Sequence, residues 1–153
     1  MGCRKTAVLA LALLGTEALA DFNPEDYPRH ETCALCHGLF GTSHNAKFPN
    51  LAAQDPAYLA LQLQAFVAGD RTNDGGQMLS IVQELQPGDL EQVVEWFSTQ
   101  DPPEPADVPD TSAGAALYEG LSCGGCHDNV SQLPGVPYIT AQKARYLMKQ
   151  MED

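Results

Sequence analysis

The chain has 153 residues and a formal net charge of −12 at pH 7, with 20 acidic and 8 basic side chains. This acidic balance argues against nucleic acid and anionic membrane surfaces as partners, because both would repel the protein. It permits docking to basic patches on partner proteins, although most acidic charge in proteins is solvated surface. The length is enough for one ordinary domain or two small ones.

Residues 1–20 predict a secretory signal peptide. Arg4 and Lys5 supply a positive start, an apolar run follows at 6–14, and an Ala-Leu-Ala cleavage site lies at 18–20. The apolar run is shorter than the ~20 residues needed to span a bilayer. We therefore expect a periplasmic protein with no transmembrane span in the mature chain.

Four cysteines follow the signal peptide, and they form two copies of one motif: Cys33-Ala-Leu-Cys36-His37 and Cys123-Gly-Gly-Cys126-His127. C-x-x-C-H is the attachment sequence of c-type haem. Two thiols one helical turn apart can each add to a vinyl group on one edge of the porphyrin, and the adjacent imidazole then lies under the iron. Cysteines of an exported chain usually form disulfides, but these motifs favour haem attachment instead. A shared zinc site is disfavoured because each pair is complete with its own histidine.

The sequence therefore predicts two covalently bound haem c groups. The predicted thioether residues are Cys33, Cys36, Cys123 and Cys126, and the predicted proximal iron ligands are His37 and His127.

The predicted elements of residues 21–99, called here the first unit, are all helical. A short helix within 24–36 leads into the first motif. A second helix begins after Asp55, which is a good N-cap before proline, and ends at Gly69. A last helix follows Pro87-Gly88 and carries one apolar stripe over 90–97. No segment shows sustained strand alternation, so the predicted class is all-α, with haem forming much of the core of a small domain.

Met78 is the candidate ligand for the iron face opposite His37. It is the only methionine between His37 and the end of the first unit, and it closes a predicted glycine-rich loop at 73–78. A methionine thioether is the usual sixth ligand for electron transfer, because it raises the potential and closes the iron to other ligands. The alternative is that Met78 fills the core, as lone methionines often do.

A linker and a repeat follow. Residues 100–111 are rich in proline and acid, which predicts an extended, semi-rigid linker. Residues 136–150 then repeat 48–62 at a constant offset of 88, with Pro, Ala, Gln, Tyr, Leu and a second Gln identical. Such repetition predicts two homologous haem domains, the first unit and a second unit at 112–153.

The second unit stops before the position equivalent to Met78 and before a counterpart of the last helix. We therefore expect the gene to continue past Asp153 and the sixth ligand of the second haem to lie beyond that residue. Met148 and Met151 are expected to be core residues of an amphipathic helix. The alternative is an open second iron that serves a haem enzyme or a gas sensor.

The first unit resembles a class I cytochrome c, because it contains in order C-x-x-C-H-G, F-P-x-L-A-x-Q, Y-L-x-x-Q-L, G-x-R-x-N-D and a Met. The duplication resembles the dihaem cytochrome c4 family and the related dihaem subunit of flavocytochrome c sulfide dehydrogenases. The resemblance implies that His37 and Met78 are axial ligands of the first haem and that His127 is the proximal ligand of the second. It also implies that the carbonyls of Pro49 and Pro137 accept hydrogen bonds from the two histidine rings. The two domains would pack with their haem edges close enough for electron exchange.

The predicted function is that of a non-enzymatic electron carrier, because no substrate-binding or acid/base constellation is present. Its predicted partners are a membrane quinol-oxidising complex and a terminal oxidase. The alternative is the electron-accepting subunit of a flavocytochrome-type dehydrogenase, with a flavoprotein subunit as partner.

Three further residues carry open interpretations. Arg71 could pair with a haem propionate, or it could be a plain cation at a helix end. Tyr58 and Tyr146 are interpreted as core residues on a helix face and not as redox relays.

Overall fold

The computed structural model describes residues 27–105, 111–128 and 133–153, so the predicted signal peptide and part of the linker lie outside the described residues. Within these ranges the regular structure is helical and no strand occurs, which confirms the predicted all-α class. The helices are α1 (Arg29–His37), α2 (Pro56–Ala68), α3 (Gln77–Val82), α4 (Asp89–Ser98), α5 (Ser112–Gly120), α6 (Gly124–His127) and α7 (Ala144–Glu152).

The apolar core of the first unit lies where α2 and α1 pack on α4. Its buried members are Leu59, Val93, Val94 and Phe97, and Phe97 is 1% exposed. The α4 residues among them belong to the apolar stripe that the sequence predicted, since residues three and four apart share one face of a helix.

Helix α2 begins and ends where its sequence predicted. The Asp55 carboxylate accepts a hydrogen bond from the Tyr58 backbone N–H at 2.8 Å, which satisfies one of the unpaired donors at the helix start. Gly69 adopts φ 76°, and its N–H donates to a carbonyl of the last turn. These two caps explain why the helix begins after Asp55 and ends at Gly69.

A tight turn at Gly41 shapes the long segment between α1 and α2. Its φ is 78°, and its carbonyl accepts hydrogen bonds from the backbone N–H groups of Leu51 and Ala52 at 2.7 and 3.1 Å. A Cβ at Gly41 would lie 2.5 Å from the Ala52 nitrogen and 2.9 Å from Cδ1 of Phe97, so the backbone needs glycine here. The turn therefore holds this segment against the core.

An aromatic stack joins α1 to α4 on the outside of the first unit. The Trp96 ring lies on the His30 ring with 3.8 Å between centroids, and the Phe40 ring follows at 6.1 Å. The indole N–H donates to the carbonyl of Leu39 at 2.8 Å. An ion pair of 3.2 Å between Arg29 and Asp89 links the starts of the same two helices.

Two details of the predicted organisation were wrong. Met78 lies in the first turn of α3 and not in a loop. Met148 and Met151 were expected in the core, but they are 58% and 79% exposed. The physical reason is that α7 meets the first unit through Tyr146 and Gln150, which leaves these methionines on the other side of the helix.

Among the described residues, no helix combines the length and the apolar character needed to cross a membrane.

Two candidate haem-attachment sites

The first site is built on the last turns of α1. Cys33 is half-buried and Cys36 is exposed, and neither forms a disulfide. The Cys33 thiol donates to the backbone carbonyl of Arg29 at 3.7 Å, and burial raises its pKa to about 11. The helix thus presents two free thiols one turn apart, as a bridge to one edge of a porphyrin requires.

His37 follows the second thiol and is 6% exposed. Its ring Nδ1 lies 2.9 Å from the carbonyl oxygen of Pro49, so Nδ1–H donates and Nε2 keeps its lone pair. Burial lowers the pKa of His37, although the hydrogen bond to Pro49 acts in the opposite direction. A neutral ring with a fixed tautomer is the form that binds a metal.

The second site repeats this geometry on α6. Cys123 and Cys126 are also free thiols, and Nδ1 of His127 lies 2.8 Å from the carbonyl oxygen of Pro137. The contact between histidine and proline therefore occurs in both units, as the resemblance implied. The shorter loop of the second unit has not removed it.

The two sites differ at the residue that follows each motif. Gly38 has φ 80°, and a Cβ there would collide with the carbonyl of Thr42. Its counterpart Asp128 accepts hydrogen bonds from the hydroxyls of Tyr118 and Thr140 at 2.6 and 2.7 Å. The Tyr118 bond, followed by the Thr140 bond, lowers the pKa of the Asp128 carboxyl. Sequence reasoning missed this cluster, and the change from Gly to Asp after C-x-x-C-H was the only available signal.

Met78 is half-buried at the start of α3. The Asp74 carboxylate accepts hydrogen bonds from the backbone N–H groups of Gly76 and Met78, at 3.0 and 2.5 Å. Asp74 therefore fixes where α3 begins and with it the position of the Met78 backbone. The role of Met78 as an iron ligand stays a prediction.

No protein-family model matches the chain. The cytochrome c4 of Stutzerimonas stutzeri is 31% identical to it over 164 residues, which cover 95% of this chain and 78% of the relative. The chain belongs to the cytochrome c4 family. The crystal structure of reduced recombinant cytochrome c4 from Pseudomonas stutzeri matches this cytochrome with a TM-score of 0.68 and 31% identity, over 80% of this chain and 74% of that one. A thiosulfate dehydrogenase electron acceptor of Thiomonas intermedia (strain K12) is 30% identical over 95% of this chain and 73% of the relative.

The donor groups of this cytochrome fit haem c. Each motif has two thiols that form no disulfide and an imidazole whose Nδ1–H donates to a backbone carbonyl. Thioether formation and ligation through Nε2 need these groups in this state. Membership of the cytochrome c4 family and this donor set together make the chain an electron-transfer cytochrome that binds haem c covalently.

Arg71 is more than a plain cation at a helix end, and its pairing with a haem propionate stays a prediction. Its guanidinium lies over the Phe66 ring at 4.6 Å and donates to Gln62 at 2.8 Å. It also reaches α7, where it donates to the Tyr146 hydroxyl at 3.0 Å and to the Gln150 side chain at 2.5 Å. Arg71 is therefore a connection between the two units of this cytochrome.

Tyr58 lies at the same junction, beside Tyr146. Burial raises the pKa of Tyr58 to about 12, and the neighbouring Tyr146 adds to the shift. Both tyrosines are half-buried, so they belong to the contact between units and not to the core of either one.

Proposed function

We propose that this protein is a periplasmic carrier of single electrons that holds two haem c groups, one in each of two cytochrome domains, 21–99 and 112–153. The observation that carries the proposal is the repeated contact between motif histidine and proline carbonyl, at 2.9 Å in the first unit and 2.8 Å in the second. A chain that used one site alone would have no physical reason to orient both rings in the same way.

The described residues have distinct roles in this proposal. When bound, haem c supplies a one-electron iron couple. The motif cysteines would anchor it, and His37 and His127 would bind the iron through Nε2 while Pro49 and Pro137 hold their rings. Met78 would supply a further ligand to the first iron. This set of roles gives each unit a fixed redox centre.

The partners follow from charge and from the relatives. The acidic surface favours brief docking to basic patches, which suits a carrier between a quinol-oxidising complex and a terminal oxidase. The name of the Thiomonas relative favours a second candidate, the electron-accepting subunit of a dehydrogenase. The flavoprotein subunit considered above is one such partner.

Attachment is tested by mass spectrometry of the full chain, produced with an exported haem-ligation system. We expect a mass increase of two haems and no titratable thiol among the four motif cysteines. Replacement of Cys33 and Cys36 by alanine should remove one haem, and the same change at Cys123 and Cys126 should remove the other. A folded, haem-free chain with two disulfides would overturn the proposal.

Met78→Ala tests the sixth ligand of the first iron. It should remove that haem's share of the weak red absorption band of methionine-ligated ferric haem, and it should lower one of the two reduction potentials. Met148→Ala is the matched control, because Met148 is 58% exposed on α7. An unchanged band and unchanged potentials in Met78→Ala would refute the assignment.

Gel filtration with a purified dehydrogenase catalytic subunit separates the two candidate functions. A stable complex at physiological ionic strength supports the subunit role. Rapid, salt-sensitive reduction without a stable complex supports the free carrier.

A further inference from the structure

The side-chain amide of Gln54, in the first unit, bonds both the backbone N–H and the backbone C=O of Tyr138 in the second unit. We call such a pair of hydrogen bonds a grip. Its side-chain nitrogen donates to the carbonyl of Tyr138 at 2.5 Å, and its side-chain oxygen accepts from the N–H of Tyr138 at 3.0 Å. A single amide therefore pairs with the donor and the acceptor of the same residue, as a neighbouring strand would.

Gln142 of the second unit makes the same grip in return. Its side-chain nitrogen donates to the carbonyl of Asn50 at 2.9 Å, and its side-chain oxygen accepts from the N–H of Asn50 at 2.7 Å. Gln54 and Gln142 are equivalent at the offset of 88, and so are Asn50 and Tyr138. The contact is thus reciprocal, with an approximate two-fold axis between the units, as in an isologous dimer.

The surroundings of the two grips are largely closed to solvent. Gln54 and Asn50 are each 4% exposed, and Ala141 is buried. The Asn50 side chain accepts from the Ser43 N–H at 2.9 Å and donates to the Ala141 carbonyl at 2.7 Å, so it ties its own unit to the other. Polar groups that are buried in this way are costly to leave unpaired, so the bonds select one arrangement of the units.

Each grip lies next to the contact that orients a motif histidine. Asn50 directly follows Pro49, whose carbonyl holds the ring of the first site, and Tyr138 directly follows Pro137, whose carbonyl holds the ring of the second. Each glutamine therefore holds the peptide that follows the histidine-orienting proline of the opposite unit. A rotation of one unit against the other would break both grips and free the peptides beside both prolines.

We propose that Gln54 and Gln142 are positioning residues that lock the two haem sites in one mutual orientation and thereby set electron exchange between them. The proposal rests on the proposed function, because it needs a haem in each unit. The Gly135 N–H donates to the Asp55 carboxylate at 2.8 Å, which adds a further hydrogen bond across the same junction.

The test uses the haem-bound full chain with Gln54→Met, Gln142→Met and the double variant, which keep the side-chain length and remove the hydrogen bonds. The splitting of the main haem band in circular dichroism reports the mutual orientation of the two haems, and flash reduction reports their exchange. We expect the double variant to lose the splitting and to show a spread of exchange rates in place of a single rate. The absorption spectrum of each haem should stay as in the unaltered protein. Gln92→Met, at an exposed position of α4, is the matched control.

The outcomes separate this proposal from the proposed function. If the mass of the unaltered protein shows only one attached haem, the proposed dihaem function is refuted, and the positioning role falls with it. Two attached haems with unchanged splitting and exchange in the double variant refute the positioning role alone. If the variants do not fold, amide hydrogen exchange in the unaltered protein decides: slow exchange of the Asn50 and Tyr138 amides supports the grips, and fast exchange overturns them.

Discussion

Phe97→Ala tests whether the first unit depends on the core formed at α4. Phe97 is 1% exposed, and truncation of a buried phenylalanine costs about 3–5 kcal/mol of unfolding free energy. The upper half of that range, about 4–5 kcal/mol, is expected because the cavity wall cannot collapse. The ring packs on the backbone of Gly41, which is held by the N–H groups of Leu51 and Ala52.

The assay is urea unfolding of the haem-bound full chain, followed by far-ultraviolet circular dichroism. With a slope of about 1.5–2 kcal/mol/M, the unfolding midpoint should fall by about 2–3 M. Phe40→Ala is the matched control: Phe40 is 60% exposed and should lose at most about 1.5 kcal/mol, the value of its aromatic pair with Trp96. Equal midpoints for the two variants would refute the reasoning.

Three further predictions concern single positions, each measured by the same urea unfolding. A left-handed alanine costs about 1–2 kcal/mol, and Gly41→Ala should destabilise the protein by more than this, because its Cβ also collides with backbone atoms. Gly69→Ala is the control: Gly69 has φ 76° and open space around it, so this variant should show the backbone strain alone. Equal losses for the two variants would contradict the clash. Asp55→Ala should lose about 1–2 kcal/mol, since the carboxylate caps α2 and also accepts from the Gly135 N–H. A loss below about 1 kcal/mol would contradict this double role. The pKa of Tyr58 is raised to about 12, so the folded state favours the neutral phenol. Stability from this group is full below about pH 10 and is lost as the pH rises towards 12; Tyr58→Phe should flatten that fall, and an identical fall in both proteins would exclude Tyr58 as its source.

The sequence was a good guide wherever one local signal decided the structure. Asp55 and Gly69 mark the ends of α2 because capping depends on a few neighbouring residues. The stripe of α4 predicted its buried face because helical periodicity is also local. The motif histidines were found from the C-x-x-C-H pattern, and the role of their prolines came from the resemblance to class I cytochromes c.

The parts that could not be predicted depend on contacts between distant residues or on single side chains. Residues 73–76 form a turn, as predicted, but α3 begins directly after them at Gln77, because the Asp74 carboxylate accepts from the Gly76 and Met78 N–H groups. The repeat showed that Gln54 and Gln142 occupy equivalent positions, but it did not show which residues they bond. Each glutamine bonds a residue more than 80 positions away, and no local pattern records which surfaces of two similar units will meet.

The chain has a single tryptophan, and its place in the aromatic stack makes it a selective probe. Trp96 belongs to the first unit alone, whereas circular dichroism reads the helices of both units. If the junction makes the units unfold as one, tryptophan emission and helical signal should change at the same denaturant concentration. In the variants that lack the grips, the two signals should change at different denaturant concentrations. The difference between their midpoints would measure how strongly each unit stabilises the other.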